Sequence, residues 1–231
     1  MKHKPRPRDV EWIMRGLALA IDHLELPAIE KIAEAQQEDA FQVLIGTLLS
    51  ARTQDATTLA ASQRLFRRAP TARRLEKLKV SEIAKLIYPV SFYRTKAVHV
   101  KETCQILLET FGGVVPGTME ELLSLPGVGR KTANLVLILG FKSLRNICVD
   151  THVHRISNRL GWVRTKTPEQ TEQALYERLE SRWWPYANLY LVTWGQNVCR
   201  PTHPRCGDCA ISARCPQTGV TVIGKSRGAL A

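Results

Sequence analysis

The chain has 231 residues, with 33 Lys plus Arg against 21 Asp plus Glu, a net charge of +12 and 44% apolar residues. That length admits one large domain or two modest ones, and the apolar fraction supplies a buried core, which excludes a disordered or fibrous chain. No apolar run approaches the roughly 18 residues of a membrane span, and the surplus of positive charge calls for a polyanionic partner.

The N-terminal stretch is basic at Lys2, Lys4, Arg6 and Arg8, and an uninterrupted apolar run follows from Gly16 to Ile21. That run is shorter than the roughly 7–15 residues of a secretory leader, so the pattern predicts an amphipathic helix behind a basic tail. The expected compartment is then a reducing cytoplasm, nucleoid-associated if the source is bacterial, where six cysteines serve as metal ligands or thiols more readily than as disulfides. Helical periodicity dominates and no run alternates as a strand does, which predicts an all-α fold. Ala40 to Ala51 is apolar enough for a central buried helix, while Leu75 to Ile87 and Val98 to Phe111 carry one-sided apolar faces. Thr118 with Glu121 has capping-box spacing, and Thr167-Pro168 with Gln170 forms a second box with proline at the first helical position. Helices are expected to stop at Gly112-Gly113 and at Gly161.

After the helix begun at Thr118 comes Leu125-Pro126-Gly127-Val128-Gly129-Arg130-Lys131-Thr132-Ala133. Two glycines two apart allow a tight hairpin whose amides face outward at a helix N-terminus, which suits a phosphate. The spacing is not that of a nucleotide P-loop and no strand precedes it, so a DNA backbone is the more natural anion. Lys131 falls in the first turn of the next helix, where the helix dipole and Arg130 both oppose its charge and favour the neutral, nucleophilic amine. A phosphate-contacting lysine fits the same position. Asp150, in Val149-Asp150-Thr151-His152, lies far enough along for the chain to fold back toward that helix start, and it also reads as a cap for the helix running from Val153 to Leu160.

Near the end, Cys199, Cys206, Cys209 and Cys215 form C-x6-C-x2-C-x5-C within 17 residues. Four thiolates so close make a four-sulfur site, and the segment has too few large apolar residues to fold without one. Zinc and a cubane iron–sulfur cluster both accept this donor set, and the single C-x2-C pair flanked by longer gaps favours the larger [4Fe–4S] group. Arg200, Arg205 and Arg214 surround it, either as phosphate contacts or as surface charge. Cys104 and Cys148, in apolar helical contexts, are expected in the core.

Taken in order, the nonapeptide Leu125 to Ala133, the Val149-Asp150-Thr151-His152 element and the four-cysteine array resemble the endonuclease III family, the iron–sulfur branch of the helix-hairpin-helix DNA glycosylase superfamily. The resemblance extends from about Ala40 to Arg227. It implies a six-helix barrel with the hairpin over residues 33–143, and a discontinuous helical cluster domain from 1–32 and 144–231. Damaged double-stranded DNA is the implied partner of a monomer with no membrane attachment. The implied activity is bifunctional: removal of oxidised or ring-saturated pyrimidines, then β-elimination at the abasic site. Lys131 would attack C1′ and form a Schiff base, while Asp150 would help deprotonate the amine and stabilise charge on the sugar, a logic shared with carboxylates in glycoside hydrolysis. Related branches separate here, because adenine-mismatch enzymes carry another residue at the lysine position and the 8-oxoguanine branch lacks the cluster.

The same resemblance assigns DNA contacts to Gly127, Val128, Gly129, Arg130 and Thr132 of the hairpin, to Arg94 and Lys96, and to His152 and Arg205. Two loops resemble strand-wedging elements, with departures. Arg52 stands where a gap-filling glutamine is usual, and Ser91 replaces a common glycine beside Phe92, the apolar wedge. An arginine can still fill the gap, with altered opposite-base tolerance. Without the resemblance, Phe92 reads as a core aromatic and Arg52 as a surface or phosphate-binding arginine. A monofunctional glycosylase and a non-catalytic metal-stabilised DNA-binding protein are the competing readings. The positive charge is expected to gather around the hairpin, the Arg94–Lys96 loop and the cluster-loop arginines.

Overall fold

The computed structural model describes residues 7–35 and 39–225. Lys2, Lys4, Arg6 and Arg227 lie outside the described residues, as does the side chain of Arg8. Among the described residues every regular element is helical, as the periodicity predicts. The chain divides into two units, one of residues 27–143 and one combining 1–26 with 144–231.

The 27–143 unit contains six helices of eight or more residues among those described, with two of five. They are α2 (Ala28–Ala35), α3 (Ala40–Ser50), α4 (Asp55–Arg68), α5 (Ala72–Glu76), α6 (Val80–Ile87), α7 (Tyr93–Thr110), α8 (Met119–Leu123) and α9 (Arg130–Phe141). Helix α3 is the axis, since every residue from Phe41 to Leu49 is buried. Asp39 starts it by accepting the amides of Phe41 and Gln42 at 2.8 and 3.1 Å. Helices α2, α4, α7 and α9 all pack against it. A Cβ on Gly140 of α9 would come within 2.9 Å of the Ala40 backbone, so glycine permits that close approach.

The apolar stretch Leu75 to Ile87 is two helices rather than one. Thr71 caps α5, and the Lys79 amide donates to the Glu82 carboxylate at 2.8 Å, which starts α6 three residues after α5 ends. Leu75, Leu78, Ile83 and Ile87 are nonetheless all buried, so the periodicity locates the core face while missing the turn. Both expected caps form, with Thr118 and Thr167 accepting the amides of Glu121 and Gln170. Helix α7 ends before Gly112 and Gly113, whose positive φ values of 63° and 86° turn the chain back.

In the other unit, α1 (Pro7–Ala20) joins α10 (Thr151–Arg159), α11 (Pro168–Arg178) and α12 (Tyr186–Asn197). Val10, Ile13, Met14 and Leu17 form the buried stripe of α1, continued by Ile21 just past its end, and pack with Leu175, Leu191 and Trp194. Its polar side is tied down too, because Glu11 accepts from Arg182 and from the Trp183 indole, each at 2.8 Å. Cys104 and Cys148 are fully buried in their respective units, and burial pushes the Cys104 thiol up to about 12.

Candidate functional site

The hairpin is built by two tight turns. The Leu125 amide closes on the carbonyl of Leu122, and the Val128 amide on that of Leu125, at 3.2 and 3.1 Å. Gly127 has φ of 74°, and a Cβ there would lie 2.6 Å from the His99 ring, so conformation and space both demand glycine. Gly129 differs: its φ is −101° and no atom stands within 4 Å of an added Cβ. Open space rather than internal packing faces it. Gly129 is the N-cap of α9 and brings no side chain to accept the first-turn amides. Gly127, Gly129 and Arg130 are exposed and Lys131 is half-buried in the first turn; Val128 and Thr132, expected to contact DNA, are instead buried, so their side chains anchor the hairpin to the core.

Asp150 is the N-cap of α10, and its Oδ1 accepts the amides of His152 and Val153 at 2.8 and 2.9 Å. The residues before it are fixed from two helices: Asn188 of α12 donates to the Cys148 carbonyl at 3.1 Å, and the Ile147 amide donates to the Tyr176 hydroxyl of α11 at 3.1 Å. Both sequence readings of Asp150 are compatible, since a capping carboxylate is a rigidly oriented one. His152 stands 3.2 Å from the Arg155 guanidinium through Nδ1.

The two expected wedge loops both present residues in the left-handed region, Arg52 at φ 54° and Phe92 at φ 56°. For residues bearing a Cβ that conformation costs about 1–2 kcal/mol each and survives only when the surroundings impose it. Phe92 is 63% exposed, which rules out the core-aromatic reading. Arg52 and Arg94 are exposed as well.

Lys96 is a correction. It was expected to face DNA, but it is 8% exposed, and its ammonium donates to the carbonyls of Leu49 and Ala51 at 2.7 and 2.6 Å and to Thr53 Oγ1 at 3.2 Å. All three ammonium protons are committed inside the fold. Burial draws this lysine down to about 8, which leaves it largely charged at neutral pH. A second correction concerns Arg205, whose guanidinium is held at 2.8–2.9 Å by Asp208, with only 12% of its side chain exposed. It braces its own loop. The expected basic patch therefore loses Lys96 and Arg205, while Arg52, Arg94, Arg130 and Arg200 remain exposed.

Cys199, Cys206, Cys209 and Cys215 line one pocket, together with Ile156, Leu160, Trp194, Val198 and Ile211. None is in a disulfide. Burial raises the thiols of Cys206 and Cys209, and that of Cys215 to about 11. Among the described residues no three His, Cys, Asp or Glu side chains converge tightly enough to hold a single metal ion. The arginine that organises this loop was not evident in the sequence: Arg159 of α10 is 9% exposed, donates to the carbonyls of Arg200 and Pro201 at 2.6 and 2.7 Å, and lies 3.4 Å from Cys199 Sγ. Its position three residues after buried Ile156 is the available signal. Arg155 adds a 2.8 Å bond to the Cys199 carbonyl.

Residues 45–181 match the model of the HhH-GPD superfamily base excision DNA repair proteins. The chain belongs to that superfamily. It is 46% identical to endonuclease III of Thermotoga maritima over 196 residues, covering 84% of this chain and 92% of that protein. It is 47% identical over 188 residues to the chloroplastic endonuclease III homolog 2 of Arabidopsis thaliana, of which it spans 49%. A solved non-covalent endonuclease III–DNA complex superposes with a TM-score of 0.80 at 28% identity, over 92% of this chain and 96% of that one. A trapped endonuclease III–DNA covalent intermediate gives the same values. The expected fold and activity class stand: this is a base-excision-repair DNA glycosylase with abasic-site lyase activity. No helix among the described residues is long and apolar enough to cross a membrane.

Proposed function

We propose that Lys131 is the nucleophile and Asp150 its acid–base and electrostatic partner, in removing oxidised or ring-saturated pyrimidines from duplex DNA. The damaged nucleotide must leave the stack before its C1′ can be reached. The neutral Lys131 amine attacks C1′, the C1′–N bond breaks, and its electron pair leaves with the base, which takes up a proton. Asp150 receives the proton lost by the amine and faces the positive charge that develops on the sugar. Ring opening yields an iminium between Nζ and C1′; loss of a C2′ proton then expels the 3′ phosphate by β-elimination. The observation that carries this reading is the hairpin: it sets a lysine in the first turn of α9, beside an N-cap glycine with open space before it.

That open space suits a DNA phosphate on the α9 amides, with Gly127 and Gly129 as the closest approach and Arg130 adding charge. Arg52 and Phe92 would enter the duplex where the nucleotide has left, Phe92 as apolar wedge and Arg52 beside the unpaired base. Arg94 and His152 would contact the backbone. Damaged duplex DNA is the partner of a monomer in this reading, and the cytoplasm its place of action.

The four cysteines fit a [4Fe–4S] cluster: they share an apolar pocket and form no disulfide. When bound, the cluster supplies four iron–thiolate bonds that order the loop. Arg159 and Arg155 hold the polypeptide around it, and thiol protons must leave as the ligands engage.

Incubation with a thymine-glycol duplex tests the catalytic assignment. Wild type is expected to release base and nick the strand, and Lys131→Gln to do neither. Nicking by Lys131→Gln overturns it. About four irons and four sulfides per chain are expected; a colourless protein with one zinc contradicts the cluster.

A further inference from the structure

Lys96 is the one lysine of the expected DNA face that the fold turns inward, and its three acceptors lie in the last turn of α3 and just after it. Leu49 and Ala51 offer carbonyls left over at the C-terminus of that helix, where a cation also meets the negative end of the dipole. Thr53 Oγ1 is the third acceptor, and the same oxygen accepts the Ser91 amide at 3.2 Å. Lys96 itself stands in the first turn of α7, its own amide bonded to the Phe92 carbonyl at 3.0 Å. Lys96 therefore ties the two loops together, its side chain holding the first and its backbone amide the second. The acceptors at 51 and 53 flank Arg52, and the bonds to Ser91 and Phe92 bracket the other loop. Arg52 and Phe92 are the left-handed residues of these loops, and both are exposed.

We propose that Lys96 is a positioning residue that locks Arg52 and Phe92 into one rigid pair, so that both enter the duplex together when the damaged nucleotide is extruded. This rests on the reading that Arg52 and Phe92 enter DNA, and it adds what holds them there. A left-handed backbone at a residue bearing a Cβ relaxes when its flanking groups are released. Without the ammonium, the carbonyls of Leu49 and Ala51 lose their shared donor, and Thr53 Oγ1 loses one of its three links, keeping the Ser91 amide and its own bond to the Ala51 carbonyl. Arg52 is then free to leave the left-handed region, and its register with Phe92 is lost. No chemistry at C1′ is assigned to Lys96. Its removal is expected to slow extrusion and spare the steps that follow.

The test compares two substrates in single turnover with the full chain carrying its cluster. On duplex thymine glycol, Lys96→Met is expected to slow base release about tenfold or more. On a single-stranded oligonucleotide carrying a ready-made abasic site, where no nucleotide need be extruded, strand cleavage is expected within about twofold of wild type. Lys96→Arg is expected to recover most of the duplex rate. The rise in fluorescence of a 2-aminopurine opposite the lesion, which reports unstacking, should be lost with Lys96→Met and return with Lys96→Arg. In Lys96→Met, adding Phe92→Ala is expected to cost nothing further. Equal loss on both substrates, no loss on the duplex, or additive effects of the two substitutions overturns the proposal. If Lys96→Met fails to fold, Thr53→Val removes the atom shared by the two loops, and an unchanged duplex rate in that variant overturns it equally. The underlying reading fails separately, if Arg52→Ala and Phe92→Ala each act on the duplex at the wild-type rate.

Discussion

The 27–143 unit and the loop from Cys199 to Lys225 hold their shape by opposite means. Around α3 the chain is fixed by apolar contact: Val43, Leu44, Ile45 and Leu49 are fully buried among side chains from several helices. In the loop the large apolar residues are few, and the backbone is gripped instead by Arg159 and Arg155 on carbonyls of the 195–201 stretch. The four sulfurs gather in a pocket at its centre. A hydrophobic core needs nothing from outside the chain, whereas a loop of thiols and carbonyls is completed by what binds it. The catalytic lysine of our proposal stands on the self-sufficient region, and the cysteine loop is the conditional one.

The sharpest way to separate the two is to take a thiolate away. Cys209→Ser is expected to lose iron and to abolish hydrogen-exchange protection from Cys199 to Lys225, while α3 and α9 keep theirs. Loss of protection in α3 to the same extent would join the regions into one cooperative unit. Next in size is Leu44→Ala, which deletes a fully buried side chain and is expected to cost about 3 kcal/mol in urea denaturation of the 27–143 unit, with iron content unchanged. Arg159→Met leaves two loop carbonyls without their buried donor, for an expected loss of about 2 kcal/mol, read as earlier bleaching of the cluster absorbance in denaturant. Asp39→Ala removes the cap of α3 and is expected to cost about 1 kcal/mol, again visible only in the 27–143 unit. The smallest effect belongs to Arg214, which pairs with Asp9 at 3.0 Å and lies 5.0 Å over the Trp12 ring while 43% exposed. Arg214→Ala is expected to shift stability by about 0.5 kcal/mol, and addition of salt should shrink the difference.

What the sequence disclosed follows from how local each signal is. The start of α8 at Thr118, the start of α11 at Thr167-Pro168, and the end of α7 at Gly112-Gly113 are each written within a few residues, because caps and left-handed turns are satisfied by near neighbours. The cysteine array and the glycine hairpin are equally local. The α5–α6 break was hidden because both helices keep their apolar residues on the core side, so the periodicity continues through the turn. Lys96 was misread for a different reason: its acceptors lie 43–47 residues away, and a lysine two positions from Arg94 looks like one more phosphate contact. Arg205 was misread likewise, although Asp208, three residues on, was the available warning. Arg159, buried on an otherwise apolar helix face, takes its meaning only from the loop that folds over it.

The central assignment, that the Lys131 amine forms the covalent bond to the sugar, is tested most directly by borohydride trapping on a thymine-glycol duplex, followed by mass mapping of the cross-linked peptide. The account predicts a stable adduct on Lys131 with wild type and none with Lys131→Gln. A trapped adduct on another lysine, or base release by wild type with no adduct at all, would contradict it.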